Sequence, residues 1–161
     1  MRTLIAYTTR HGTTLRYAEA MARALSGEVV LTDLRQEPAV DISPFDTVVI
    51  GGAVYFGNVS PLLKEFCLSN IEELKRKNLG LFVCCCLDGE QAEKQMQAAY
   101  PLELLDAAKV KKTLAGDIDL SRMNLIERLI VKLVERKIPC TGRFNEEAAN
   151  EFAHMLEAPD L

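Results

Sequence analysis

Thr3-Leu4-Ile5-Ala6-Tyr7-Thr8-Thr9-Arg10-His11-Gly12-Thr13-Thr14 opens on an apolar run and closes on a polar turn. Thr3 to Tyr7 has the length and composition of a buried strand. Beyond the turn, Leu15, Ala18, Met21, Ala22 and Leu25 recur at spacings of three and four, the stripe of an amphipathic helix. Ser26-Gly27 closes that helix, because glycine accepts the left-handed backbone that a helix end requires. A strand that passes through a short turn into a helix sets a pattern, and the remainder of the chain repeats it.

Glu28 to Leu34, with Val29, Val30 and Leu31, reads as the second strand. Phe45 to Ile50 reads as the third, ending at Gly51-Gly52. Ser60-Pro61 is a helix start, a capping hydroxyl followed by proline at the first helical position, and the helix extends to about Glu73. Leu79 to Leu87 is a nearly continuous apolar run, as expected of a parallel strand covered on both faces. Residues 89–108 are helical in composition with an interruption at Pro101, and Lys112 to Ile118 supplies a fifth strand. Arg122 to Lys137 is helical. Asn145-Glu146-Glu147 then caps a last helix whose Ala149, Phe152, Ala153 and Leu156 face inward. Strands alternating with helices over short links imply a three-layer α/β fold around a doubly wound parallel sheet, and one domain over residues 1–161.

The bulk numbers agree with a soluble globular chain. Its 161 residues are 48% hydrophobic and 26% charged, with a net charge of −4. No run approaches the length of a spanning helix. The first residues enter a strand without the apolar stretch of a signal peptide, so the cytoplasm is the expected compartment. The charge is uneven. Residues 109–143 carry nine basic and four acidic side chains, a local +5 that leaves −9 for the rest. The acidic balance, and a basic segment without interleaved aromatics, argue against nucleic acid as a partner.

Five cysteines, at 67, 84, 85, 86 and 140, include no CxxC pair. Cys84, Cys85 and Cys86 fall in the fourth strand and read as buried thiols of a reducing compartment, with a redox or metal role as the alternative. His11 and His154 are far apart and form no metal-ligand pattern. His154 reads as a surface residue, and His11, in the turn after the first strand, either touches a ligand there or points to water. No Ser/His/Asp or Cys/His arrangement suggests hydrolysis.

An open parallel sheet takes its ligand beyond the carboxyl ends of its strands, where the strand order reverses. Three loops fall at that edge. Thr8-Thr9-Arg10-His11-Gly12-Thr13-Thr14 places threonine hydroxyls and a glycine at a helix N-terminus, where unpaired N–H groups and the helix dipole favour a phosphate. Arg10 adds charge there or projects toward a substrate. The loop is neither GxGxxG nor GxxxxGK[ST], which argues against NAD and ATP. The other two loops are Gly51-Gly52-Ala53-Val54-Tyr55-Phe56-Gly57-Asn58 and Cys86-Leu87-Asp88-Gly89.

Together these loops resemble those of the flavodoxins, and the resemblance covers nearly the whole chain. It implies the strand order 2-1-3-4-5 and FMN as cofactor. The phosphate would lie on Thr8, Thr9, Arg10, His11, Gly12, Thr13 and Thr14. The flavin ring would lie between Ala53, Val54, Tyr55, Phe56 and Gly57 on one side and Cys86, Leu87, Asp88 and Gly89 on the other. Tyr55 or Phe56 would be the aromatic against the ring, and Asp88 would cap the following helix. The flavin would carry the electrons, so no catalytic residue beyond it is expected.

Within the family the likeness is to the flavodoxin-type, menaquinone-dependent protoporphyrinogen dehydrogenases. It rests on Thr9-Arg10-His11-Gly12-Thr13-Thr14, on Gly52 to Gly57, and on the Ala115-Gly116 turn before the helix at 122–137. Residues 88–110 depart from that pattern in being acidic and Gln-rich rather than basic. This likeness implies an oxidoreductase passing electrons from protoporphyrinogen or a similar donor to a quinone. Two alternatives stand beside it: a flavodoxin-type carrier that serves a redox partner protein, and an FMN-free binding module. The helix at 122–137, with Ile126, Leu129, Ile130 and Leu133 on one stripe and basic residues mostly elsewhere, has three readings. It packs on its own sheet, meets an anionic membrane or a quinone, or forms the seam of a homodimer.

Overall fold

The computed structural model describes residues 1–55, 57–117, 120–135, 140 and 142–160. Five strands form one parallel sheet: β1 (Arg2–Tyr7), β2 (Glu28–Asp33), β3 (Thr47–Ala53), β4 (Asn78–Cys85) and β5 (Val110–Ala115). Their order is β2-β1-β3-β4-β5, so the sheet reverses direction of winding between β1 and β3. Between and after the strands lie α1 (Thr13–Ala24), α2 (Pro61–Ser69), α3 (Ile71–Leu74), α4 (Gly89–Ala99), α5 (Leu102–Ala107), α6 (Leu125–Glu135) and α7 (Glu146–Glu157).

Strand periodicity divides the core into two layers. Leu4, Ala6, Val48, Ile50, Leu81 and Val83 point to one face and pack with Leu63 and Phe66 of α2, Met96 of α4 and Leu104 of α5. Ile5, Tyr7, Val49, Phe82 and Cys84 point to the other and pack with Tyr17 and Met21 of α1 and Phe152 and Leu156 of α7. At Ser60 and Asn145 the caps sit where the sequence places them. Ser60 Oγ accepts from Leu62 N–H at 3.3 Å, and Asn145 Oδ1 accepts from Ala148 N–H at 3.2 Å.

Several boundaries differ from the sequence reading: the helix expected from Pro61 to about Glu73 breaks at Asn70 into α2 and α3, the helix expected from Arg122 starts at Leu125, and strand ends shift as well. β3 does not stop at Gly51-Gly52 but runs through them to Ala53, with Gly51 opposite Phe82 and Gly52 opposite Val83. The Phe82 ring occupies the space where a Gly51 Cβ would stand, and Leu63 Cδ2 lies 2.7 Å from an ideal Gly52 Cβ. These glycines are strand residues that admit close packing. β4 ends at Cys85, so Cys86 belongs to the loop that follows. β5 begins at Val110, because Lys111 and Lys112 find partners off the sheet: Lys111 Nζ donates to Leu105 O at 2.8 Å and Lys112 Nζ to Glu151 at 2.5 Å. Ile118, the end of the expected fifth strand, lies outside the described residues.

Candidate functional site

At the carboxyl edge of the sheet, the ends of β1, β3, β4 and β5 border a cleft of about 960 Å³. That is at the upper end of the roughly 300–1,000 Å³ of small-molecule sites. Thr8, Thr9, Arg10, His11, Thr13 and Thr14 line it from the first loop. Ala53, Val54, Tyr55 and Gly57 line it from the second, and Cys86 and Leu87 from the third. The reversal of strand order therefore brings together three segments far apart in sequence.

The first loop is shaped by Gly12. Its φ of 92° is left-handed backbone, and it stands at the N-cap of α1 with no side-chain cap on the helix. The first intrahelical bond runs from Arg16 N–H to Gly12 O at 3.0 Å. The N–H groups of the first turn thus keep their capacity to bind an anion. Thr9 Oγ1 accepts from Gly12 N–H at 3.0 Å and retains its own proton to donate. Two other hydroxyl protons are engaged within the protein, Thr13 with Asp117 O at 3.1 Å and Thr14 with Cys84 Sγ at 3.8 Å.

Positive charge reaches this loop from residues outside it. Arg10 turns away, pairing with Glu127 of α6 and lying with its guanidinium carbon 4.8 Å from the Tyr55 ring centroid. Arg122 Nη1 donates to His11 O at 3.1 Å and sits over Gly12, while Arg35 Nη1 donates to Thr9 O at 2.9 Å. Nothing in the sequence near Arg35 or Arg122 signals this. Their approach depends on how β2 and the turn before α6 return to the cleft.

His11 does not point to water. Its side chain is 12% exposed, its ring centroid lies 5.7 Å from that of Tyr55 and its Nε2 stands 4.0 Å from Glu127 Oε2, but neither ring nitrogen makes a hydrogen bond among the described residues. Gln95 Oε1, from α4, is likewise buried and unpartnered at the cleft wall. Buried polar atoms without partners are costly, and those facing a cleft are the ones a ligand can satisfy. Tyr55 joins Asn58 in a two-way backbone bridge at 2.7 and 3.1 Å around Gly57, whose φ is 78°. Phe56, the other expected aromatic, lies outside the described residues.

Asp88 and Gly89 stand apart from the cleft. Asp88 occupies the N-cap position of α4, but its side chain makes no capping bond, and both residues are exposed. The backbone turns into α4 at Gly89, with φ of 56°, before it can carry them back over the cleft.

Leu120–Arg122 and α6 complete the rim. Asn124 Oδ1 accepts from Glu127 N–H at 2.8 Å while Glu127 Oε2 accepts from Asn124 N–H at 3.2 Å, a reciprocal cap that starts the helix. Met123 and Val131 are buried against the cleft. The opposite face is apolar and open to solvent, with Leu125 82%, Ile126 71%, Leu129 61% and Leu133 56% exposed. This stripe does not pack on the sheet. At 100° per residue, five apolar side chains from Leu125 to Leu133 cover an arc of about 140°, with Arg128 and Lys132 along one border. Arg136 and Lys137 lie outside the described residues. No helix among the described residues is long and apolar enough to cross a membrane.

Burial pushes the Glu127 carboxyl up, but Arg10, the Asn124 N–H and the charge of His11 outweigh it and hold the group below its ordinary 4.5. A carboxylate with a lowered folded pKa stabilises fully above its unfolded value and loses that contribution as pH falls through the folded value. Glu127→Gln is therefore expected to lower Tm slightly at neutral pH. The gap to the parent should close as pH falls below 4.5. A gap that persists in acid would remove the charge from the α6 anchor.

Fold and cleft together define a doubly wound α/β protein whose first strand leads through a Gly12 turn into a helix N-terminus without a side-chain cap. The chain belongs to the flavodoxin domain family, whose model matches residues 4–141. Solved structures agree on the fold. Two-electron reduced flavodoxin from Megasphaera elsdenii aligns with a TM-score of 0.59 at 14% identity, covering 96% of this chain and 97% of its own. Oxidised Flavodoxin 1 from Bacillus cereus gives 0.55 at 12% identity, covering 97% of each chain. Rubredoxin oxygen:oxidoreductase from Desulfovibrio gigas gives 0.53 at 16% identity, covering 98% of this chain and 37% of its own. No curated protein matches the chain by sequence.

Proposed function

We propose that the cleft holds FMN and that the protein moves electrons between an organic donor and a quinone-like acceptor. The uncapped N-terminus of α1 beneath Arg122 and Arg35 carries the first half of this reading, since it supplies N–H donors and positive charge where a phosphate would sit. His11 and Gln95 fit the second part of the cofactor, because a flavin ring edge offers the donors and acceptors their buried atoms lack. The bound flavin accepts and releases the electrons, while the chain binds, orients and shields it.

The choice of a quinone rests on α6. Its exposed apolar face lies on the same short helix whose Val131 lines the cleft and whose Glu127 anchors Arg10. An apolar acceptor drawn from a lipid surface would meet the protein beside the flavin, with Arg128 and Lys132 toward anionic headgroups. Protoporphyrinogen, an apolar tetrapyrrole with carboxylates, suits the same combination as donor. A second reading, a carrier for a protein partner, draws on the near full-length alignment with small flavodoxins.

Anaerobic mixing of the reduced, FMN-loaded protein with menadione separates the two. Reoxidation that saturates with quinone concentration is the expected result. A rate that is slow and strictly first order in quinone, beside fast transfer to a redox protein, would overturn the quinone assignment.

A further inference from the structure

The Cys84-Cys85-Cys86 run divides at the end of β4. Cys84 and Cys85 are buried free thiols of the sheet, as is Cys67 in α2, whereas Cys86 forms a disulfide with Cys140, 54 residues later. This corrects the reading of the triplet as uniformly buried thiols. The disulfide is half-buried and both of its cysteines line the cleft.

We propose that Cys86 and Cys140 form a redox-active pair that receives two electrons from the flavin of the same cleft, an inference that rests on the FMN reading. The step balances internally. Reduced FMN gives up two electrons and two protons, the S–S bond breaks, and oxidised FMN and two thiols result. Return of the electrons to an external disulfide or quinone would reclose the bond.

The pair stands at the wall of the cofactor cleft. A disulfide that only staples the fold has no need of the ligand cleft, but a disulfide that exchanges electrons with the cofactor must stand there. The free thiols compete poorly, since burial pushes Cys67 and Cys84 up to about 12, raises Cys85 as well, and leaves little reactive thiolate.

The surrounding backbone permits close approach. An ideal Cβ on Gly116 would lie 3.2 Å from Cys86 Sγ and 3.1 Å from the Cys85 carbonyl carbon. One on Gly142 would lie 2.9 Å from Gly116 O. Bare backbone at both positions lets the end of β5 and residue 142 pass close together, with the two cysteine Cα atoms 4.8 Å apart. The dithiol state is also provided for. Cys140 Sγ lies 3.8 Å from Gly116 O, so the S–H formed on reduction has an acceptor in place.

The test counts thiols in the FMN-loaded protein. Under anaerobic conditions the bound flavin is reduced by light and EDTA, the protein is denatured in a maleimide, and labelled peptides are mapped by mass. The oxidised protein should label only at Cys67, Cys84 and Cys85. After flavin reduction Cys86 and Cys140 should label too, and air should reverse the change. The same irradiation without FMN should leave both unlabelled. Dithionite titration should consume about twice the electrons that the flavin alone holds, falling to the flavin's share in Cys140→Ser. A flavin that bleaches fully while Cys86 and Cys140 stay unlabelled would overturn this inference and leave the cofactor reading intact. So would labelling of both in the oxidised protein. Failure of added FMN to bind would overturn the cofactor reading, and the inference with it.

Discussion

Replacing Gly12 by valine is expected to raise the Kd for FMN by about a hundredfold, or ~3 kcal/mol. The native φ of 92° is left-handed backbone. A β-branched residue held there loses about 1–2 kcal/mol or more. Relaxing that strain would rotate the first-turn N–H groups of α1 away from a shared anion. The new Cβ would also collide with the Arg122 guanidinium and break its bond to His11 O. Two contributions to phosphate binding fail together, which is why the effect should exceed that of a single lost hydrogen bond. Flavin fluorescence quenching measures Kd, and a urea midpoint checks that the fold persists. A Kd within threefold of the parent would place the phosphate elsewhere.

The second large effect concerns α6. The variant Ile126→Ser, Leu129→Ser, Leu133→Ser should lower partition onto anionic vesicles by at least about a hundredfold, because each buried apolar side chain is worth roughly 1.5–3 kcal/mol. These side chains are exposed, so the fold and FMN affinity should change little. The saturating phase of menadione reoxidation should disappear with the vesicle binding. Sedimentation with phosphatidylglycerol vesicles and stopped-flow spectra give the two readouts. A parent protein that never sediments would end the membrane contact. A dimeric parent made monomeric by the variant would assign the stripe to a second copy instead.

The sheet was legible because its strands carry their environment in their composition. A run such as Leu79 to Val83 is apolar on both faces only when both are covered, and an alternating helix pattern between such runs leaves a parallel sheet as the arrangement. Helix ends at Ser60 and Asn145 were legible for a local reason: a cap needs only residues within three positions of itself. What was not legible is long-range. Glycine at 51 reads as a strand end until the Phe82 ring is placed against it. The stripe on α6 shows that a face is apolar, but not whether sheet or solvent lies opposite.

The cleft divides in the same way. The three loops could be read because a parallel sheet puts them at one edge. Their internal arrangement could not. Arg10, the cation within the loop, is drawn off by Glu127, 117 residues away, while Arg35 and Arg122 arrive from other elements. Cys140 pairs with Cys86 across 54 residues, and with five cysteines in the chain spacing alone selects no partner.

Titration of the purified, flavin-stripped protein with FMN decides whether this cleft is a flavin site. One tightly bound FMN per chain, quenched fluorescence, and visible bands shifted from those of free flavin are expected. A titration with no quenching, and a protein that stays colourless after exposure to excess FMN, would contradict that assignment.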